Sequence, residues 1–168
     1  FLPGDSTLGA GEMLRQPELA ATLRRIAEQG KQGFYGGQTA RLIVEEMHRS
    51  GGIITAADLA QYSPAERAPI RAMYRGHEVI TMPPPSSGGV LLVQMLKMLE
   101  GRDFRRLPFH SAQHAHLLAE VMRRAYSDRA EFLGDPDFVK VPVAGLTSAE
   151  YATARAANIT NHATPSSS

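Results

Sequence analysis

The chain has 168 residues, enough for one domain with a buried core. Hydrophobic residues make up 43% and charged residues 21%, which excludes disorder throughout. With 18 Lys and Arg interspersed among 17 Asp and Glu, the net charge of +1 gives no basis for non-specific attraction to nucleic acid or an anionic membrane, and the lack of cysteine excludes disulfides and thiolate metal sites without assigning a compartment.

Taken in chain order, the pattern is mostly helical. Pro17 suits a helix first turn, and Leu19, Leu23 and Ile26 recur at i, i+4 and i+7 up to Gly30. A second helix is expected from Gly37 to Arg49, with Ala40, Ile43, Val44 and Met47 on one face and Gly51 as its stop. Thr55 and Asp58 have the spacing of an acidic capping box for a short third helix. Pro69 to Met82 alternates loosely and reads as two short strands turning at Arg75-Gly76.

The run Met82-Pro83-Pro84-Pro85-Ser86-Ser87-Gly88-Gly89 comes next. Its prolines fix φ near −65° and remove backbone donors, so it can be neither helix nor inner strand. It reads as a stiff arm that hands the chain to a helix through a turn open to close backbone approach. That helix is expected from Gly89 to Glu100, with Leu92, Leu96 and Leu99 on its core face. A longer one should follow from Ser111 as N-cap to Phe132, with Ala115, Leu118, Ala119, Met122, Ala125 and Tyr126 as its buried stripe and Gly134 as its C′ residue. Thr147 and Glu150 predict a capping box for a last helix ending near Ala157. Beyond Asn158 the pattern dissolves, so residues 159–168 are expected to be a flexible tail or to dock only on a partner. No stretch has the apolar length of a membrane span, and Phe1-Leu2-Pro3-Gly4 does not read as a signal peptide.

Several residue groups invite chemistry and fit plainer roles better. His110, His114 and His116 lie close in sequence. Yet His110 precedes the N-cap, and His114 and His116 point about 200° apart on a helix. No His-Glu-x-x-His spacing follows, and no metal site is expected. Asp135-Pro136-Asp137, after Asp128 and Glu131, could gather carboxylates, but Asp-Pro beyond a helix end is ordinary turn chemistry. Asp128 and Arg129 inside the helix read as partners of other helices or of a second subunit. Ser86 and Ser87 lack the Gly-x-Ser-x-Gly frame of a nucleophile elbow. Arg102, Arg105 and Arg106 fit a solvated loop, and no glycine run is followed by the Lys-Ser/Thr of a phosphate loop.

A resemblance emerges from motifs in a fixed order. They are Gly51-Gly52-Ile53-Ile54-Thr55-Ala56-Ala57-Asp58-Leu59, Glu66-Arg67-Ala68-Pro69-Ile70, the proline arm, Ala125-Tyr126-Ser127-Asp128-Arg129 and Leu133-Gly134-Asp135-Pro136-Asp137-Phe138-Val139. With Gln16-Pro17-Glu18-Leu19-Ala20, Phe34-Tyr35-Gly36-Gly37 and Pro165-Ser166-Ser167 they cover nearly the whole chain. Together they closely resemble the gamma-glutamyltranspeptidase family. The stretch that matches is the C-terminal part of that family's large subunit, so residues 1–168 are expected to be a single piece of it.

The resemblance implies a fold, a reaction and partners. The fold is the αββα sandwich of N-terminal-nucleophile hydrolases, to which this chain would add a helix-rich α+β portion. The precursor would cut itself into two subunits. The new N-terminal threonine of the small subunit would attack the γ-glutamyl amide of glutathione or a related donor and pass the acyl group to an amino acid, a peptide or water. No Thr-Thr-His-Tyr-like motif occurs in this chain. No catalytic residue, metal or cofactor is therefore carried over, and the piece alone is expected to be inactive. Ser86, Ser87, Gly88 and Gly89 remain candidates for a wall of the active site. The partners implied are the small subunit of the same precursor and a γ-glutamyl donor, with no nucleic acid, and the compartment is the periplasm or the exterior. A related cephalosporin or glutaryl acylase and a non-catalytic interaction domain stay open as alternatives.

Overall fold

Glycines and capping side chains delimit most helices in the computed structural model, which describes residues 7–103 and 106–165. Residues up to Ala65 form one unit and those from Glu66 a second.

In the first unit, α1 (Pro17–Gln29) starts on its proline as the sequence predicts. A single turn, α2 (Gln32–Tyr35), was not visible in the pattern, being too short to show a period. Next, α3 (Gly37–Ser50) stops at Gly51, whose φ of 76° is the left-handed cap that glycine adopts without strain. At α4 (Ala56–Gln61) the expected capping box is complete. The Asp58 amide donates to Thr55 Oγ1 at 3.2 Å, and the Thr55 amide donates to Asp58 Oδ2 at 2.8 Å. The hydroxyl and amide of Thr55 hold the Asp58 carboxyl below its ordinary range. Buried Thr39 ties the elements together. Its hydroxyl donates to the Gly33 carbonyl at 2.7 Å and accepts from Arg25 Nε at 3.0 Å. Tyr35 stacks on Tyr62 with centroids 5.0 Å apart.

The second unit opens with an antiparallel hairpin, β1 (Ile70–Tyr74) and β2 (His77–Thr81), pairing Ile70 with Thr81 and Tyr74 with His77. Arg75 and Gly76 both have positive φ, the signature of a type I′ turn whose twist matches the strands. Ile70, Ala72 and Tyr74 are half-buried, whereas Arg71 and Met73 face out. Then come α5 (Gly88–Glu100), α6 (Ala112–Phe132), α7 (Val143–Leu146) and α8 (Ala149–Ala156). The core joins Leu91, Met98 and Leu99 of α5 to Leu117, Val121 and Ala125 of α6, with Ala152 of α8 and Ile159.

Four details differ from the sequence reading. The buried face of α5 is Val90, Leu91, Val93, Gln94, Met98 and Leu99, while Leu92 is exposed and Leu96 only half-buried. That helix is apolar almost all round, so periodicity could not choose its face. On α6 the buried set is Leu117, Glu120, Val121, Arg124, Ala125 and Asp128; Ala115, Ala119, Met122 and Tyr126 are exposed. α6 ends at Leu133 in extended backbone, so Gly134 is not a left-handed cap. A Cβ there would lie 2.7 Å from Val139 Cγ2, which makes its smallness a matter of packing. Ser148, not Thr147, caps α8, accepting from the Tyr151 amide at 3.1 Å; the Thr147 hydroxyl donates back to Val143.

Residues 159–165, read as the start of a flexible tail, carry contacts. Ile159 is buried, and Thr164 bonds to α6. Residues 166–168 and Arg105 lie outside the described residues.

Candidate functional site

The proline arm leaves β2 and enters α5 within a few residues, and two contacts hold it. The first is backbone against backbone. A Cβ on buried Gly89 would collide with the Met82 carbonyl oxygen and come 3.0 Å from Thr81 Cγ2. Only glycine lets the first turn of α5 pass so close to the end of β2. The second contact is polar: the Ser87 hydroxyl accepts from Arg129 Nε of α6 at 3.0 Å. Pro84 is buried, its bond to Pro85 is cis, and Pro85 and Ser86 are exposed.

Gly88 differs from its neighbour. It is exposed, has no positive φ, and a Cβ on it would meet nothing nearer than Ser86 Oγ at 3.7 Å. Nothing within the described chain requires glycine there. Ser87 occupies the N-cap position but makes no side-chain cap, since its hydroxyl is committed to Arg129. A guanidinium has no lone pair to take a proton, so this serine has no base in its partner.

Along α6 lies a group that periodicity passed over. Glu120, Arg124 and Asp128 follow one another at i, i+4 and i+8 along α6, and all three are buried. Asp128 Oδ2 accepts from Gln94 Nε2 of α5 at 2.5 Å, and Asp128 Oδ1 pairs with Arg155 Nη2 of α8 at 2.8 Å. It is the partner of other helices that the sequence suggested. Burial, then the charge and hydrogen bond of Asp128, push the Tyr151 hydroxyl pKa up. Glu120 Oε2 pairs with Arg124 Nη1 at 2.7 Å. The buried charges cancel in pairs, which is what permits their burial. The available sequence signal was a carboxylate four residues before an arginine, a spacing shared by many solvated helix faces.

The remaining candidates fall into plain roles. His110 precedes the N-cap Ser111 at a φ of 60°, and His116 Nε2 lies 2.8 Å from the Thr160 carbonyl. Among the described residues no group of three His, Cys, Asp or Glu is placed to hold a metal ion. Asp135 and Asp137 form a turn, with Asp135 Oδ1 accepting from the Asp137 amide at 3.0 Å. Arg67 Nη2 braces it at 2.6 Å from Asp137 Oδ2. Of the basic cluster, Arg102 Nη2 donates to the Ala156 carbonyl at 3.3 Å, and Arg106 is solvated beside Asp103. No helix of the described residues is long and apolar enough to cross a membrane.

The family model for gamma-glutamyltranspeptidase matches residues 1–168. The chain belongs to the gamma-glutamyltranspeptidase family. It is 49% identical over 161 residues to a glutathione hydrolase proenzyme of Escherichia coli, covering 95% of this chain and 28% of that one. To an acylase proenzyme of a Pseudomonas strain it is 48% identical over 159 residues, again covering 95% and 28%. The gamma-glutamyltranspeptidase structure from Helicobacter pylori superposes with a TM-score of 0.88 at 42% identity, over 96% of this chain and 47% of that one. The chain therefore spans about a quarter of the length of the curated relatives it matches. The fold follows from these likenesses: a helix-rich α+β portion of the N-terminal-nucleophile hydrolase architecture that gamma-glutamyltranspeptidases share.

Proposed function

We propose that the chain is the scaffold portion of a self-processing enzyme that transfers γ-glutamyl groups from glutathione or related donors to amino acids, peptides or water. The observation that carries this is 49% identity to a glutathione hydrolase proenzyme across nearly the whole chain, proline arm included. The nucleophile and its base belong to the partner subunit cut from the same precursor. This chain contributes the helices and hairpin that position that subunit, acts in the periplasm or outside the cell, and is inactive alone. The arm from Ser86 to Gly89 forms a wall of the donor site. Its glycine at position 88, which no neighbour among the described residues demands, suits close approach from outside.

Activity of the complete protein on a γ-glutamyl-nitroanilide, absent from the 168-residue chain alone, is the expected result. Turnover by the chain alone that survives repurification would overturn the scaffold role. The 48% identity to an acylase proenzyme favours one second reading, a related enzyme that cleaves a cephalosporin or glutaryl amide. A complete protein that hydrolyses such an amide but not the γ-glutamyl one would establish it.

A further inference from the structure

The most heavily bonded side chains of the second unit hold a stretch without regular structure. The Glu120 side chain is 2% exposed. Its Oε1 accepts from the Thr164 amide at 3.1 Å and its Oε2 from the Thr164 hydroxyl at 2.5 Å. Arg124, 8% exposed, spans the same stretch. Nε donates to the Arg155 carbonyl at 2.8 Å, and Nη2 donates to the Asn158 carbonyl at 3.1 Å and to Thr164 Oγ1 at 3.3 Å. Between these ends Ile159 is buried in the core and the Thr160 carbonyl meets His116.

Holding helices together does not require a buried ion pair, and a well-packed apolar residue serves as well or better. Val121, next along α6, does so at 1% exposure. A carboxylate adds direction: it accepts one amide and one hydroxyl at fixed angles, so it selects Thr164 and orients the backbone there. We propose that Glu120 and Arg124 form a latch that fixes the path of the chain at Thr164 and thereby presents the residues that follow to the cleavage junction of the precursor. The inference rests on the reading of the protein as a self-processing precursor. Both are positioning residues that act through the backbone and hydroxyl of Thr164. With residues 158–164 loose, α8 alone would not define where the following chain goes.

The test uses the complete precursor, with Thr164→Val to remove only the hydroxyl and Thr164→Ser to keep it. Conversion to two subunits is followed by gel, alongside thermal unfolding and turnover per matured molecule. Thr164→Val should slow conversion about fivefold, the factor set by one hydrogen bond of about 1 kcal/mol. Thr164→Ser should convert at the parent rate, and turnover per matured molecule should be unchanged in both. Conversion of Thr164→Val at the parent rate, or slowing in Thr164→Ser that tracks lost thermal stability alone, would overturn the latch. A parent precursor that never cleaves would instead overturn the precursor reading. Hydrogen exchange then decides the latch separately: the Thr164 amide should be protected in the parent and exposed in Glu120→Ala, which removes the acceptor, and an unprotected amide in the parent refutes it.

Discussion

At the scale of single residues, the two adjacent glycines at the head of α5 do different work. Gly89 is accounted for inside the chain, because any Cβ there runs into the Met82 carbonyl. Gly88 stands in open space with an ordinary backbone. Gly89→Ala should therefore destabilise the fold by about 1–3 kcal/mol, as overpacking does, seen as a lower midpoint of thermal unfolding. Gly88→Ala should leave that midpoint in place. In the complete enzyme it should still lower maturation or donor turnover about tenfold if Gly88 belongs to the active-site wall. A fully matured and fully active Gly88→Ala enzyme would remove the wall. That both positions are glycines open to close approach was an expectation legible in the sequence. Which one the chain itself needs was not, since that depends on how β2 turns back over α5.

At the scale of elements, what the sequence revealed follows from how local each signal is. The Thr55–Asp58 capping box, the turn at Arg75-Gly76 and the Gly51 stop are set by neighbours within a few residues, and all appear where the pattern placed them. The buried face of α6 is set by partners far along the chain, Gln94, Arg155 and Thr164. Ranking its positions by hydropathy selected Met122 and Tyr126, which are exposed at 47% and 55%. The charged stripe has a measurable consequence in acid. Hydrogen bonds from Thr164 and Arg124 lower the Glu120 pKa to about 2, with Arg123 also within 3.4 Å. A folded pKa below the unfolded value of about 4.3 means that this group stabilises the fold above pH 4.3 and loses that contribution as pH falls toward 2. The urea midpoint of the parent should drop across that window. Glu120→Gln should start lower at neutral pH and change less between the two values. Equal slopes in both proteins would show that Glu120 does not carry the acid sensitivity.

At the scale of the whole molecule, each unit leaves apolar surface uncovered. In the first, no residue of α1 is buried, and Leu23 and Ile53 are 56% and 91% exposed. In the second, Met73, Ile80 and Met82 are all more than half exposed. A hairpin of two strands also offers unpaired edges and is marginal by itself. The 168-residue chain, prepared alone, should therefore self-associate, and its sedimentation coefficient should rise with concentration. A concentration-independent monomer of high thermal stability would show that these faces need no cover.

The grip of α6 on Thr164 also has an order in time. Glu120 is made 44 residues before the threonine it holds. At a synthesis rate of about 5–20 residues per second, that carboxylate waits about 2–9 s for its partner. Meanwhile Arg124, four residues on, is its buried counter-charge. The local pair can close with the helix turn itself, whereas the distant bonds must also offset the entropy of a long loop. The nascent helix is thus neutralised early and finished late, when Thr164 arrives and closes its bonds to Glu120.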